Sequence, residues 1–290
     1  MTREELIERF ANMTTWRRRG ERAPHKPLLI LYALGRMYQG ERWLYYSDLE
    51  DKLNRLLAEF GPPRKSYRAY YPFIRLVNDG VWQLNKDIDT RTDHSPDFLK
   101  QEEIAGSFNE DVFNALGSNP QLVQEIAGLL LEQNFPETMH QEILEAVDLA
   151  DAEYSIIRRR KRNPEFRQKV LELYGYRCAV CGFDIKLGTT PIALEAAHIK
   201  WHQAGGPDVE ENGIAMCSMH HKLFDRGAFT FDKSLTLLVS DVVTGTVGLQ
   251  EWLYQYQGKK LRKPASPIYY PARVYLDWHF REVYRDAIKY

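Results

Sequence analysis

The sequence has little cysteine, no long apolar run and almost no net charge. Only three of its 290 residues are cysteines, which is too few, and an odd number, for a disulfide framework. No apolar run approaches the ~18 residues that a membrane-spanning helix needs. The N-terminus, MTREELIERF, is charged and amphipathic, unlike a signal peptide. These absences argue against a disulfide-rich secreted protein and against a membrane protein, and they predict a soluble, cytoplasmic chain.

The net charge of −1 is the sum of three blocks of different sign. Residues 1–80 carry a charge of +5, residues 81–155 carry −13 and residues 156–290 carry +7. Such separation favours basic ends that face a polyanion, joined by an acidic segment that stays away from it. The charge pattern is therefore compatible with nucleic-acid binding despite its balanced total.

Turn residues and charge divide the chain into three predicted domains: residues 1–95, an acidic helical spacer at 96–160, and residues 161–290. Within the first domain, Asn78-Asp79-Gly80 is typical of a hairpin turn, with VWQL as the return strand. Helices joined to a small hairpin indicate an α+β fold with a winged-helix-like N-terminal domain.

All three cysteines belong to two short motifs with metal-ligand spacing. Cys178 and Cys181 form C-x-x-C, and Cys217 and His220 form C-x-x-H. Each pair can supply two ligands to one tetrahedral ion, and four protein ligands leave no open position for a substrate. The spacing therefore predicts a structural Zn²⁺ site. The alternative is a set of buried free cysteines beside a surface histidine.

Three further residues, His198, Asn212 and His221, follow one another in the order His, Asn, His within LEAAHIKWH and ENGIAMCSMHHKLFD. This pattern resembles the HNH, or ββα-metal, nucleases. The resemblance implies that His198 is the general base, that Asn212 holds the loop and orients this base, and that His221 helps to bind a catalytic Mg²⁺ or Mn²⁺ ion. The alternative is a zinc ribbon that binds DNA without cutting it.

One position departs from the commonest HNH pattern. Many members have an acidic residue or a histidine immediately before the first histidine, where this chain has Ala197. The missing metal ligand could be replaced by Glu195, by Asp225, or by phosphate oxygens and water. The sequence leaves these alternatives open.

A second resemblance is carried by HKPLLILYALGRM, residues 25–37, and by YYPFIRLVNDGVWQL, residues 70–84. These segments are similar to the sulfur-binding domain of phosphorothioate-dependent, McrA-like type IV restriction endonucleases, which join such a domain to a C-terminal HNH nuclease. The resemblance implies that Tyr71 and Pro72 line the sulfur cavity and that His25 and Lys26 touch the modified step. Arg75 stands where some relatives have a small cavity-wall residue.

Basic residues near these segments are candidates for phosphate contacts. They are Arg17, Arg18 and Arg19, beside Trp16, and Arg68 in a stretch that alternates aromatic and basic residues. Sulfur is larger and less strongly hydrated than oxygen, so a small apolar cavity can accept it more readily than an ordinary phosphate oxygen. The alternative is that the arginines are merely solvated and that the tyrosines are ordinary core residues.

The combined pattern predicts a restriction endonuclease that recognises phosphorothioate-modified double-stranded DNA and hydrolyses it by a metal-dependent HNH mechanism. Because one HNH site cuts one strand, we expect a homodimer at least on DNA. Two alternatives remain at this stage. One is an HNH endonuclease directed at another modification or at unmodified DNA, and the other is a non-cleaving zinc DNA-binding regulator.

Overall fold

The computed structural model describes residues 2–13, 23–150 and 164–287 and divides the chain into two units, Met1–Arg158 and Arg159–Tyr290. Both units mix helices with small antiparallel sheets, which confirms the α+β class. None of the helices in these residues is long and apolar enough to cross a membrane.

Helices pack around a three-stranded sheet in the first unit. The helices are α1 (Arg3–Ala11), α2 (His25–Tyr38), α3 (Tyr46–Phe60), α4 (Tyr70–Arg75), α5 (Pro96–Gln101), α6 (Glu110–Gly117), α7 (Pro120–Asn134) and α8 (Glu137–Ala146). The strands are β1 (Leu44–Tyr45), β2 (Trp82–Leu84) and β3 (Ala105–Phe108). The sheet order is β1-β3-β2, and both pairings are antiparallel.

The middle strand of this sheet comes from the segment that the sequence predicts as a spacer. Strand β3 pairs with β1 and β2, and α7 packs against α1 and α2. Glu125 on α7 accepts two hydrogen bonds from Arg3 on α1, at 2.7 and 3.0 Å. The sequence predicts a boundary at residue 95, but the first unit extends beyond it through the acidic helices. Carboxylates of these helices neutralise some of the basic residues of the unit.

The predicted hairpin at Asn78-Asp79-Gly80 is wrong. Residues Tyr70–Arg75 form α4, and a 3-10 helix continues from Leu76 to Asp79. Gly80 ends that helix with a φ of 70°, in the left-handed region that favours glycine. The return strand exists as β2, but it pairs with β3, which is distant in sequence. The winged-helix-like description, which depended on this hairpin, stays a prediction.

The second unit holds the ββα element that the motifs predict. Its helices are α9 (Pro164–Leu173), α10 (Ser218–Asp225), α11 (Val247–Trp252) and α12 (Arg273–Glu282). Its strands are β4 (Lys186–Leu187), β5 (Thr190–Pro191), β6 (Leu194–His198), β7 (Gly213–Cys217), β8 (Phe229–Phe231) and β9 (Leu237–Val239). Strands β6 and β7 are antiparallel, and α9 and α10 pack on them around a buried apolar core. This arrangement brings the end of β6 and the start of α10 onto one scaffold.

Candidate functional site

The four predicted zinc ligands meet at one place in the second unit. Cys178 and Cys181 lie in the loop after α9, Cys217 ends β7, and His220 lies in the first turn of α10. One donor atom from each lies within 4.8 Å of the others. The Cys181 and Cys217 sulfurs are 3.9 Å apart, close to the roughly 3.8 Å expected for two thiolates on one tetrahedral zinc ion. The donor set therefore fits zinc in both chemistry and spacing.

The His220 ring presents Nδ1 to the cysteines, at 3.2 Å from Cys217 Sγ and 3.8 Å from Cys178 Sγ. Its Nε2 lies 3.0 Å from the carbonyl oxygen of Trp252, which accepts a hydrogen bond there and fixes the ring orientation. Hydrogen bonds from Cys181 and Cys217 lower the pKa of Cys178, because they stabilise its thiolate. A deprotonated thiolate is the form that binds zinc.

His198 ends β6, half-buried beneath α9. Its ring stacks on Phe166 with the ring centroids 4.3 Å apart, and its Nε2 lies 2.8 Å from Oδ1 of Asp208. Among the residues with described positions, its Nδ1 has no hydrogen-bond partner. Burial lowers the pKa of His198, and the hydrogen bond to Asp208 offsets only part of this effect. The imidazole is therefore neutral at neutral pH, as a general base must be.

Asn212 is fully buried and ties down the loop after His198. Its side-chain oxygen accepts a hydrogen bond from the Lys200 amide at 2.8 Å. Its amide group donates to the carbonyl oxygens of Lys200 and Pro207, both at 3.0 Å. A side chain on Gly206 would lie 1.8 Å from the Lys200 carbonyl oxygen, so only glycine lets the loop fold this tightly. The loop leads directly to Asp208 and so determines where that carboxylate lies.

His221, on α10, lies between two carboxylates. Its Nδ1 is 2.5 Å from Oε2 of Glu195, and its Nε2 is 3.2 Å from Oδ2 of Asp225, one helical turn away. Burial lowers the pKa of His221, but the charges of Asp225 and Glu195 outweigh burial and raise it to about 9. Without a bound ion, the ring is therefore an imidazolium that donates a hydrogen bond to each carboxylate.

The two nitrogens of an imidazole point away from each other, so one ion on either nitrogen of His221 approaches only one of these two carboxylates. Within the described ranges, the group of three cysteines and one histidine is the one metal-binding set of three or more residues that is already assembled. Ala197 is fully buried in β6 and offers no ligand. An ion bound at His221 would therefore have at most one of these carboxylates beside it and would need further ligands from outside the protein.

In the first unit, the predicted basic pair lies at the start of α2. Lys26 Nζ is 2.5 Å from Asp79 Oδ2, and the two side chains are only 15% and 4% exposed. Burial, followed by the nearby charge of Arg64, lowers the pKa of His25 to about 4. His25 is thus neutral at neutral pH, and the Lys26 charge is already paired within the protein.

Tyr71 and Arg75 share one carboxylate on the surface of α4. The Tyr71 hydroxyl donates to one oxygen of Asp93 at 2.8 Å, and Arg75 donates to the other at 3.1 Å. The Arg68 guanidinium lies 6.0 Å from the centre of the Tyr71 ring. Pro72 is buried within α4. Tyr71, Arg75 and Arg68 therefore form one polar and aromatic cluster, oriented by Asp93.

Three of the predicted phosphate contacts, Arg17, Arg18 and Arg19, lie outside the described residues, as does Trp16. Conversely, sequence reasoning missed Asp208 and Asp93. For Asp208 a signal existed, since GGPD is a turn that leads into Asn212 and holds a carboxylate. Asp93 follows an irregular polar segment with no motif, so nothing in the sequence distinguishes it from other surface acids.

Comparison with known proteins identifies both ends of the chain. The family model described as ScoMcrA-like, DNA sulfur-binding domain, matches residues 3–152, and the HNH endonuclease model matches residues 178–232. No curated protein sequence matches the chain.

Several solved structures are similar to part of the chain. The sulfur binding domain of SprMcrA complexed with phosphorothioated DNA has 22% identity and a TM-score of 0.45, over 52% of this chain and 97% of that chain. The corresponding ScoMcrA domain complex has 23% identity and a TM-score of 0.44, over 49% and 94%. The modification dependent TagI restriction endonuclease has 23% identity and a TM-score of 0.30, over 42% and 38%.

Proposed function

The chain belongs to the ScoMcrA-like DNA sulfur-binding domain family, and we propose that it is a restriction endonuclease that cuts DNA carrying phosphorothioate linkages. The chain joins this domain to an HNH endonuclease domain, so it is a DNA-cleaving hydrolase. The observation that carries the proposal is the neutral, half-buried His198 held by Asp208, in the same chain as the sulfur-binding domain.

His198 is the general base in this proposal. The carboxylate of Asp208 can only accept a hydrogen bond, so it retains the proton on Nε2 and leaves the lone pair of Nδ1 for the attacking water. The stacked Phe166 ring limits rotation of the imidazole. Nδ1 takes a proton from the water as the water oxygen bonds to phosphorus. The bond from phosphorus to the 3′ oxygen breaks, and the 3′ oxygen leaves with that electron pair and takes a proton from solvent.

His221 is the proposed protein ligand for a catalytic Mg²⁺ or Mn²⁺ ion, together with either Glu195 or Asp225. Such an ion supplies Lewis-acid stabilisation of the charge that develops on the phosphate and on the leaving oxygen. Glu195 and Asp225 hold the His221 ring in place before any ion binds. Because both ring nitrogens donate hydrogen bonds in that state, His221 must lose a proton when an ion arrives.

The remaining site residues have structural roles in this proposal. Zn²⁺ held by the cysteines and by His220 would stabilise the fold and take no part in catalysis, because four protein ligands leave no position for substrate. Asn212 orients the base indirectly, since it holds the loop that carries Asp208.

The sulfur-binding domain selects the substrate through the cluster on α4. Tyr71 presents the apolar surface that accepts a weakly hydrated sulfur atom, the buried Pro72 lies next to it within α4, and Asp93 accepts a hydrogen bond from the Tyr71 hydroxyl. Arg68, Arg75 and the arginines at 17–19 contact phosphates. His25 contributes a neutral hydrogen-bonding group, and Lys26 acts mainly through its buried pair with Asp79.

We also propose that two copies act together on DNA, because each HNH site cuts one strand and a duplex has two-fold symmetry. The proposed zinc site requires three reduced thiols, which supports a cytoplasmic location.

The test is cleavage of a phosphorothioate duplex and an ordinary duplex of the same sequence, each with Mg²⁺ or Mn²⁺ and each repeated with the His198→Ala variant. We expect wild-type protein to cut the phosphorothioate duplex and the variant to lose at least ~100-fold in rate. Equal cleavage of both duplexes would indicate a nuclease with another target. Binding without cleavage under every metal condition would indicate a regulator.

A further inference from the structure

The second unit carries a concentrated and exposed group of cations between the 3-10 helix Tyr254–Tyr256, which follows α11, and helix α12. Residues 259–263, which we name the basic strip, have the sequence KKLRK. The side chains of Lys259, Lys260, Arg262 and Lys263 are all exposed, whereas Leu261 is only 3% exposed and anchors the strip in the core. One apolar side chain of the strip thus packs into the core, and the other four side chains present their charges to solvent.

Backbone hydrogen bonds hold the strip on two sides. The Lys259 carbonyl oxygen accepts from the Leu237 amide at 2.9 Å, and the Leu261 amide donates to the Leu235 carbonyl at 2.8 Å. The Arg262 amide donates to the carbonyl of Ala179, in the loop between the first two cysteines, at 2.9 Å. The strip therefore has a fixed backbone, so less conformational entropy is lost when its side chains bind a partner.

The charges of the strip are not neutralised by ion pairs. Across the described residues, none of its four cations forms an ion pair with a carboxylate, although the charge of Lys260 contributes to lowering the pKa of Asp232. Lys259 and Lys263 instead lie over tyrosine rings, at 5.6 and 5.0 Å from the ring centres. Cation–π contacts orient an ammonium without cancelling its charge.

Three other exposed cations of this unit differ in this respect, beginning with Lys169, which pairs with Glu210 at 3.6 Å. Arg177 pairs with Asp184 at 3.3 Å, and Arg273 pairs with Asp277 at 3.5 Å. Unpaired cations concentrated on a fixed backbone attract a polyanion more strongly than cations that already have carboxylate partners.

We propose that the basic strip binds the phosphate backbone of the DNA substrate, independently of base sequence and of sulfur. The inference rests on the proposed function, because DNA is the polyanion that this unit must bind in order to cut it. Five residues extend at most ~18 Å, and the phosphates of one strand recur about every 3.4 Å along the helix axis, so the strip is long enough to face at least three of them. The strip would hold the duplex on the nuclease unit, while the sulfur-binding domain selects the DNA.

The test is the salt dependence of binding to an ordinary duplex, measured with the full chain in a His198→Ala background so that no cleavage occurs. The strip variant combines Lys259→Gln, Arg262→Gln and Lys263→Gln. Lys260 is kept, because its Nζ donates to the Ser234 carbonyl at 2.8 Å and to Thr236 at 2.9 Å. The matched control removes the same charge elsewhere on the unit, at three ion-paired cations, by Lys169→Gln, Arg177→Gln and Arg273→Gln.

Each lost phosphate contact lowers the slope of log affinity against log salt by about 0.9. We therefore expect the magnitude of this slope to fall by about 2–3 in the strip variant and by much less in the control. An unchanged slope, or an equal loss in the control, would overturn the proposal. If the triple variant loses zinc and misfolds, the single variants Lys259→Gln and Lys263→Gln decide, with an expected loss of about 0.9 each.

This measurement separates the strip from the sulfur-binding proposal. The strip variant should weaken binding to the phosphorothioate duplex and to the ordinary duplex by the same factor, so the ratio of the two affinities is unchanged. A ratio of one in the wild-type protein would contradict sulfur selection, while the difference in slope would still report on the strip.

Discussion

The Nε2 atom of His198 lies 2.8 Å from Oδ1 of Asp208, and this contact joins the end of β6 to the loop held by Asn212. The contact fixes which imidazole nitrogen carries the proton and therefore which one can act as a base. It also links Asn212 to His198, since the Asn212 amide donates a hydrogen bond to the carbonyl of Pro207, immediately before Asp208.

Asp208→Ala is expected to slow cleavage about 10- to 100-fold, by analogy with the loss of carboxylates that orient metal-binding histidines, with little change in DNA affinity. Because the Asp208 carboxylate raises the pKa of His198 against the effect of burial, its removal should lower that pKa further. Activity requires neutral His198 and is lost as pH falls through this pKa. The acidic side of the pH–rate profile should therefore move to lower pH in Asp208→Ala. Single-turnover rates across pH measure both effects.

Asp208→Glu provides the control, since it keeps the negative charge and lengthens the side chain by one methylene group. In Asp208→Glu, the pH at which activity falls on the acidic side should shift less than in Asp208→Ala. If Asp208→Ala left both the cleavage rate and its pH dependence unchanged, Asp208 would have no role in the mechanism.

Binding of the catalytic ion should strengthen as pH rises. Burial lowers the pKa of His221, but Asp225 and Glu195 raise it to about 9, so below that pH a proton occupies the nitrogen that an ion needs. With one proton released for each ion, the affinity for Mn²⁺ should rise about tenfold per pH unit below pH 9. Calorimetric titration with Mn²⁺ between pH 6 and 8 tests this, and a flat affinity would argue against His221 as a ligand.

Cys178→Ser should lose stoichiometric zinc and unfold the second unit, because metal binding at such a site contributes directly to folding. His202→Ala is the matched control, since His202 is a nearby histidine outside the ligand set. Elemental analysis and circular dichroism distinguish the two variants. Wild-type protein that folds normally and contains no zinc would refute the structural role of the ion.

Tyr71→Ala should remove the preference for phosphorothioate DNA while changing the affinity for ordinary DNA little. The reason is that the aromatic ring supplies apolar surface for sulfur, while the phosphate charge is met by cations such as Arg68. Tyr71→Phe keeps the ring and loses only the hydrogen bond to Asp93, so it serves as the control. Mobility shifts with stereopure duplexes measure the preference, which a rigid cavity should show for one sulfur stereoisomer only.

The parts of the site that the sequence predicted are those held within short motifs. Each pair of predicted zinc ligands, at C-x-x-C or C-x-x-H spacing, needs only one local turn to form, and only the meeting of the two pairs depends on the fold. In the same way, the helical period alone places His221 and Asp225 one turn apart. Local spacing therefore carries most of the information about this unit.

The parts that could not be predicted depend on contacts between distant segments. Strand β3 became the middle of the first sheet through pairing with strands far from it in sequence. Lys26 looked like a free phosphate contact, but Asp79, 53 residues later, pairs with it. Pro72 lies in the first turn of α4, where proline is tolerated, so a segment that resembled a strand forms a helix instead.

The most direct test of the account is a competition in one tube between a phosphorothioate duplex and an ordinary duplex of identical sequence, labelled with different fluorophores. Wild-type protein with Mn²⁺ should cut the phosphorothioate duplex first, and the ordinary duplex should survive at matched concentration. Tyr71→Ala should abolish this preference, and His198→Ala should abolish cutting of both duplexes. Equal rates of cleavage for the two duplexes by wild-type protein would contradict the claim that this chain selects its DNA by sulfur.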